Sequence, residues 1–373
     1  MVAEVRVALL GAAGTIGPVI ARDLLESDEV EGLLLLDRDQ ERLDATAQSL
    51  TPPTTDYGLR TSARVVDAAG SLHEALEGID VLVNSASYRL NLEVMEACLE
   101  AGCHYIDLGG LYWMTSHQLA LSERFERAGL VAILGIGSSP GKTNLMALQG
   151  IGLLDAQPEA IHVSAAGRDL DPPEGFAVPY ALQTLLDEVR MAPVVVRDGR
   201  PVEIEPLSPA GTVDFGEPVG SAEAIHTLHS ELRTFGESFG CREASFRLSL
   251  TSSLLSELHE LSQAPEEEIR RRSAEAVPPS PRTVAVHLVD AMAGDRAVRV
   301  RAVTEPVERW GVGGGVASTA APAAAAVRLL ARREITARGA LPPERCIKPH
   351  SMFVELERRG CRFETKVTEG VHA

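Results

Sequence analysis

Cysteine is scarce in this chain and shows no pairing pattern. Cys98, Cys103, Cys241, Cys346 and Cys361 are odd in number and scattered, and no Cys-x-x-Cys occurs among them. That argues against a zinc site or a redox dithiol, and no metal site is expected. Reduced thiols in a cytoplasmic protein are the expectation. Basic residues are also in deficit: 35 Lys and Arg against 53 Asp and Glu leave a formal net charge of −18. A surface with that field repels phosphate backbones, so nucleic acid is not an expected partner. No charged leader with an apolar stretch precedes the first apolar run, so no export signal is read. The longest alanine-rich stretch, 316–327, holds Ser318, Thr319 and Pro322 and falls short of a membrane span. What remains is a composition of 45% hydrophobic and 24% charged residues over 373 positions. That describes a globular protein too long for one ordinary core, and two domains are expected.

Glycine placement is the most informative feature. The apolar run Val5–Leu10 leads into Gly11-Ala12-Ala13-Gly14-Thr15-Ile16-Gly17, an amphipathic stretch covers 18–25, and a second apolar run at 33–36 is closed by Asp37. In this order a buried strand ends in a turn too tight for a Cβ, and the next helix offers its unpaired N–H groups to a pyrophosphate. An acidic side chain on the second strand then receives a ribose hydroxyl. Gly11, Gly14, Thr15, Ile16, Gly17, Asp37 and Arg38 are therefore candidate dinucleotide contacts, with Asn84, Ser85 and Ala86 at the end of a later apolar run. The spacing Gly-x-x-Gly-x-x-Gly departs by one residue from the commonest fingerprint, and a glycine-rich turn that binds nothing is the plain alternative. Asp37 favours NAD over NADP, because a carboxylate accepts from a free 2′-hydroxyl and repels a 2′-phosphate. Arg38 pulls the other way, since an arginine there can neutralise a phosphate.

Strand patterns at 64–67, 81–84, 104–107 and 130–134 alternate with helical ones at 72–76, 90–101 and 117–128, which predicts a parallel sheet. The loops after Asn84, Asp107 and Gly137 open into the crevice at its carboxyl ends. The texture then changes. A helix near 145–154 and a strand at 161–166 precede a hairpin over 194–204 that turns at Asp198-Gly199 in type I′ geometry. Later strands are expected at 244–250, 283–290 and 297–303, the last two joined through Ala293-Gly294-Asp295. The charged stretch 263–273 reads as a solvated helix or linker. Gly313-Gly314-Gly315 reads as a reverse turn or an anion cradle, and 323–333 as a helix. The fold class is α/β, an N-terminal Rossmann doubly wound parallel sheet followed by a second α+β domain on a mostly antiparallel sheet. Its expected segments are 1–143, 144–310 and 311–373, the last returning to the Rossmann domain as helices.

Three segments carry a family resemblance: Asn84-Ser85-Ala86-Ser87-Tyr88, the stretch 101–110 ending Tyr105-Ile106-Asp107-Leu108-Gly109-Gly110, and the stretch 135–144 containing Ser139-Pro140-Gly141-Lys142-Thr143-Asn144. With Pro179-Tyr180, His229-Ser230-Glu231 and the tail 339–344, they resemble the saccharopine dehydrogenase family. The likeness is greatest to its branch with lysine 6-dehydrogenase and carboxynorspermidine synthase. The resemblance implies a nicotinamide enzyme that moves hydride across the C–N bond of an amino acid. It would oxidise an amine or reduce the matching imine, on a small amino-acid or polyamine-type substrate. A homodimer is expected. Two positions depart from the pattern: Gly135 stands where the lysine enzymes have an aspartate, and Lys142 where they have an uncharged residue.

Hydride transfer asks little of side chains beyond orientation and proton handling. Tyr88, Asp107 and His229 are the catalytic candidates, and Lys142, Arg168, Tyr180 and Glu231 the substrate-binding ones. Each has a plainer alternative. Tyr88 can close its loop, Asp107 can cap a turn, and His229 and Glu231 can serve as structural hydrogen-bond partners that point apart if they share a helix. Lys142 is read as a mobile charge that anchors a substrate anion, as a base, or as an exposed hinge residue. Arg168 can be neutralised by Asp169 and Asp171. The competing function is a catalytically silent dinucleotide sensor.

Overall fold

The computed structural model describes residues 4–50, 60–68, 70 and 72–370. It divides into two compact units, Met1–Lys142 with Thr319–Leu356, and Thr143–Ser318 with Glu357–Ala373.

The first unit is built on β1 (Val5–Leu10), β2 (Val30–Asp37), β3 (Arg60–Val65), β4 (Val81–Asn84), β5 (His104–Asp107), β6 (Val131–Ile133) and a seventh strand, Gly339–Leu341. All run parallel, in the order Gly339–Leu341, β6, β5, β4, β1, β2, β3. The near-continuous apolar runs of β1, β2 and β4 follow from burial on both faces. Strand order reverses between β1 and β4, which puts the ligand crevice at their carboxyl ends. The expected Rossmann sheet is thus present, with two differences in detail. β3 ends at Val65 and is exposed from Thr61 to Val65, since an edge strand has little apolar signal to read. The helix expected over 117–128 is two, Leu111–Leu119 and Ser122–Arg127.

The second unit holds β7 (Ala160–Asp169), β8 (Val194–Arg197), β9 (Arg200–Glu203), β10 (Pro209–Asp214), β11 (Ser221–His226), β12 (Glu243–Leu248), β13 (Thr283–Ala293), β14 (Arg296–Thr304) and the strand Cys361–Glu369. Its sheet runs β10, β11, β12, β7, β13, β14, Cys361–Glu369, with β8 pairing with β12 and β9 with β8. β12 and β7 are parallel and the other pairs antiparallel, as a mostly antiparallel sheet requires. Asp198 and Gly199 have φ of 48° and 73°, the positive values a type I′ turn needs. The charged stretch 263–273 falls on the helix Glu266–Glu275, which follows a separate helix, Ser252–Ser262.

The expected C-terminal block 311–373 does not stay together. Residues from Glu357 group with the second unit, where Cys361–Glu369 pairs with β14 along nine positions. Gly313-Gly314-Gly315 is neither a free turn nor a cradle, because the helix Gly314–Ala331 begins inside it. A Cβ on Gly313 would lie 2.0 Å from Thr283 Oγ1, and one on Gly314 2.0 Å from the Thr304 carbonyl oxygen. The glycines are there because neighbouring chain passes too close for a side chain. That helix is long and apolar enough by composition to cross a membrane, contrary to the shorter stretch read from the sequence. Ala320, Ala323, Ala324, Ala325, Ala326 and Val327 are nonetheless fully buried, as in a core helix.

One buried ion network in the first unit fastens this helix. Arg328, 2% exposed, donates to Asp23 Oδ1 at 3.0 Å, Ser27 Oγ at 2.9 Å and Glu355 Oε2 at 2.8 Å. Arg332 adds contacts to Glu29 and Glu355.

Candidate active site

In the first unit the glycine loop is built as a nucleotide cradle. Gly11 and Ala12 donate backbone N–H groups to the Leu36 carbonyl at 2.9 and 3.1 Å, which pins the turn against β2. Gly11 has φ +77°, and a Cβ on it would stand 2.6 Å from the Ala86 nitrogen. On Gly17 a Cβ would stand 2.3 Å from the Gly11 carbonyl oxygen. Glycine at these two positions lets the helix Gly17–Leu25 start directly against the turn. Gly14 is different: a Cβ there meets only the Gly11 oxygen, at 3.3 Å, and both Gly14 and Thr15 are exposed. The chain's own packing hardly demands glycine there, whereas close approach of an outside group to the backbone does. Ile16 gives the helix no side-chain cap, which leaves a positive N-terminus suited to a pyrophosphate.

Asp37 is held beside this loop. Its Oδ2 accepts from Ala13 N at 2.9 Å, and its Oδ1 from Arg38 N at 2.8 Å and Asp39 N at 3.2 Å. Arg38 is exposed. The residues present fit a dinucleotide: a tight turn, an open glycine, an uncapped helix start and a fixed carboxylate. Asn84, expected among the ligand contacts, instead shapes the loop from beneath. It is buried, its Oδ1 accepts from Ala86 N at 3.1 Å, and its Nδ2 donates to Asn91 Oδ1 at 3.0 Å. Ser85 Oγ likewise donates to the Leu10 carbonyl at 2.8 Å.

Asp107 is not placed for proton transfer. It is 1% exposed, and its carboxylate accepts five hydrogen bonds. Two come to Oδ1 from the backbone nitrogens of Gly109 and Gly135, at 2.9 and 2.6 Å. Three come to Oδ2 from Asn91 at 3.1 Å, Tyr105 at 2.9 Å and Gln118 at 2.5 Å. Burial raises its pKa above the usual carboxylate value, with these donors working against the rise. Its lone pairs are spent on tying together the loops after β5 and β6. Gly135 gains a structural reason as well: it has φ +74°, and a Cβ on it would lie 2.7 Å from the Pro140 ring. An aspartate there would need a different loop. Tyr88 is half-buried in a short 3-10 turn, with the Arg89 guanidinium 5.8 Å from its ring centre. Lys142, expected as a mobile charge or exposed hinge, is 1% exposed at the start of the helix Lys142–Leu154. Its backbone N–H donates to the Gly137 carbonyl at 3.0 Å.

In the second unit His229 and Glu231 do meet. His229 lies in irregular chain ahead of the helix Glu231–Phe239, so the i, i+2 divergence expected within a helix does not apply. His229 Nδ1 is 3.4 Å from Glu231 Oε2, and Nε2 is 3.7 Å from Glu188 Oε2. These are ion-pair separations without hydrogen-bond geometry. The Tyr180 hydroxyl donates to Glu188, and Thr143 Oγ1 to Glu231 Oε1 at 2.9 Å. The imidazole stacks on Phe246 with ring centres 3.4 Å apart. Burial alone would lower the His229 pKa, but Glu188 and then Glu231 outweigh it and raise it to about 9. For Glu231, burial pushes the pKa up, and His229 with Thr143 turns the net shift downward. Burial and Glu188 push the Tyr180 hydroxyl well above its ordinary value. One imidazolium among two carboxylates leaves a buried excess of negative charge.

Five buried polar atoms in this segment have no hydrogen-bond partner: Thr227 Oγ1, both ring nitrogens of His229, Ser230 Oγ and Glu231 Oε2. Arg168 stands apart, exposed near the end of β7. Sequence reasoning missed Glu188, Thr143 and Phe246. Glu188 sits in the amphipathic helix Leu182–Arg190, where a charged residue reads as solvent-facing, and nothing local marks it otherwise.

Residues 7–133 match the family described as Saccharopine dehydrogenase NADP binding domain, which bears out the resemblance seen in the motifs. The chain is 27% identical over 240 residues to a carboxyaminopropylagmatine dehydrogenase of Synechocystis sp., an alignment covering 61% of this chain and 58% of the relative. It is 23% identical over 251 residues to a carboxynorspermidine synthase of Vibrio alginolyticus, covering 63% and 60%. The match thus spans less than two thirds of each relative's length. Apo saccharopine dehydrogenase (L-Glu forming) from Saccharomyces cerevisiae has a similar fold, with a TM-score of 0.71 at 14% identity over 98% of this chain and 100% of that one.

Proposed function

We propose that this chain, whose residues 7–133 match the family described as Saccharopine dehydrogenase NADP binding domain, is a nicotinamide-dependent oxidoreductase acting on the C–N bond of a small amine of amino-acid or polyamine type. The observation that carries the substrate reading is the concentration of orphaned polar atoms at Thr227, His229, Ser230 and Glu231. Leaving a buried polar atom unpaired costs about 1–3 kcal/mol; the Thr227 and Ser230 hydroxyls lack any hydrogen bond and His229 and Glu231 meet only at ion-pair separation, so a polar ligand that bonds to them would complete the segment. A silent sensor would have no use for them. The relatives named for carboxyaminopropylagmatine and carboxynorspermidine support an amine.

The nicotinamide, when bound, supplies or takes the hydride. The chain's own residues bind the substrate and manage its proton. Excess negative charge around Glu188 and Glu231 attracts an ammonium or iminium nitrogen. An imidazolium held to about pH 9 suits proton donation to nitrogen as an imine is reduced, and its neutral form takes the proton back when an amine is oxidised. Mixing the protein with reduced nicotinamide cofactor, an aldehyde and a panel of amines, and following nicotinamide absorbance, tests this. Absence of turnover across amino-acid and polyamine substrates would sink the reading.

On the cofactor, the matched family is described by NADP, while Asp37 argues for NAD. Fixed by three backbone N–H groups, its carboxylate can accept from a 2′-hydroxyl and repels a 2′-phosphate. Asp37→Ser should weaken NAD by about 1–3 kcal/mol and improve NADP. Calorimetric titration of both into the variant checks it, and an unchanged preference would mean that Asp37 does not touch the ribose.

A further inference from the structure

In the second unit the edge of β12 that faces away from β7 is shared by two strands. β8 pairs with it at Ala244 and β11 at Arg247 and Leu248, so the sheet forks there. Residues of both branches line a cavity of about 560 Å³, within the range of about 300–1,000 Å³ that small-molecule sites occupy. The lining carries both signs of charge: Arg197 on β8, Glu203 at the end of β9, Glu205 just beyond it, and His226 on β11. Ile204, Pro206 and Pro209 add apolar surface. Among the described residues the side chains of Arg197, Glu203 and Glu205 form no ion pair or hydrogen bond, with each other or elsewhere. Opposite charges that share a cavity beyond each other's reach leave their donors and acceptors to a ligand.

The positive end is reinforced from behind. His226 Nδ1 donates to the Phe246 carbonyl at 3.2 Å, which fixes the ring. Burial lowers the His226 pKa, the Phe246 bond opposes this, and Arg247 and Arg197, both close to the ring, lower it further. Arg247 faces His226 in register, is half-buried and forms no ion pair among the described residues. Asp290, the acid that acts on it, is held by Arg299 through Nε at 2.6 Å and Nη2 at 2.9 Å. In a chain of net charge −18, this is a local surplus of positive charge. Side chains alternate along β12, so Arg247 and His226 share one face of the sheet, and Phe246 turns to the other, where it stacks on His229.

We propose that this cavity is a second small-molecule site, separate from the His229 cluster, and that it takes a short ω-amino acid. The carboxylate bonds to the Arg197 guanidinium, whose planar fork suits it, in the field of Arg247. The ammonium bonds to Glu203 and Glu205, which can share its three donors. The methylene spacer lies on Ile204, Pro206 and Pro209. Because Arg197 and the glutamates stand beyond ion-pair reach of one another, the ligand's charges must be several carbons apart, which excludes the close charges of an α-amino acid's head group. The site does not depend on the reaction proposed above.

Calorimetric titration of the full-length protein with γ-aminobutyrate, δ-aminovalerate and ε-aminocaproate tests this. At least one should bind saturably. The fatty acid and the alkylamine of the same length, each lacking one charge, should bind about tenfold or more weakly, the usual loss for a hydrogen bond to a charged group. Arg197→Met, and Glu203→Gln combined with Glu205→Gln, should each weaken the zwitterion by about the same factor, while Glu231→Gln should leave its affinity unchanged. Arg197, Glu203 and Glu205 are exposed, so the fold does not depend on them, and thermal melts by circular dichroism confirm it. No saturable binding of any of the three at millimolar concentration would overturn the proposal. So would binding matched by the single-charge analogues, binding indifferent to Arg197→Met and to the double variant, or binding abolished by Glu231→Gln, which would put the probe in the His229 cluster.

Discussion

Arg328→Met is expected to destabilise the first unit by about 3–5 kcal/mol, the usual consequence of removing one member of a buried ion network. Methionine keeps most of the side chain's volume, so the loss is not a cavity effect. It comes from Asp23 and Glu355, 0% and 2% exposed, which lose the guanidinium that compensates them. Urea unfolding measures the effect. Adding Asp23→Asn to Arg328→Met should recover part of the loss. A midpoint unchanged within error would show that the network contributes nothing net.

His229→Asn and Glu231→Gln should lower kcat/KM for the amine or imine by about 10²–10⁴-fold, the range for loss of a positioned proton-transfer group. Cofactor affinity should be nearly intact, because neither side chain belongs to the glycine loop or to the carboxylate Asp37 held beside it. The pH dependence has a definite sign. The His229 pKa is raised from 6.5 to about 9 in the fold. The stabilisation from its charged form is therefore complete below about 6.5 and lost as pH rises through about 9. Activity that needs the imidazolium should fall on the same alkaline limb. In Glu231→Gln one of the two carboxylates is gone, and the limb should move to lower pH. A variant with full activity would remove that residue from the mechanism, and an unmoved limb would mean that another group titrates there.

What the sequence determined by itself is what local chemistry enforces. Gly11, Gly17 and Asp37 were legible because a strand, a turn without Cβ atoms and a carboxylate at the next strand's end act over a few residues. Asp198-Gly199 was legible for the same reason, since only positive φ fits a two-residue hairpin. Alternating apolar runs gave the parallel sheet, and the change in texture after Asn144 gave a second unit. Tertiary structure decided the rest, because charge and burial are set by neighbours distant in the chain. Nothing near Glu188 marks it as the partner of His229, and nothing near Lys142 shows that it is buried. Asp107 looks like a catalytic acid from its place at the end of β5, and only the five donors converging on it make it a tie between loops. Periodicity shows that an element will be a helix or a strand without naming the sheet it joins. That is why Cys361–Glu369 was not placed beside β14.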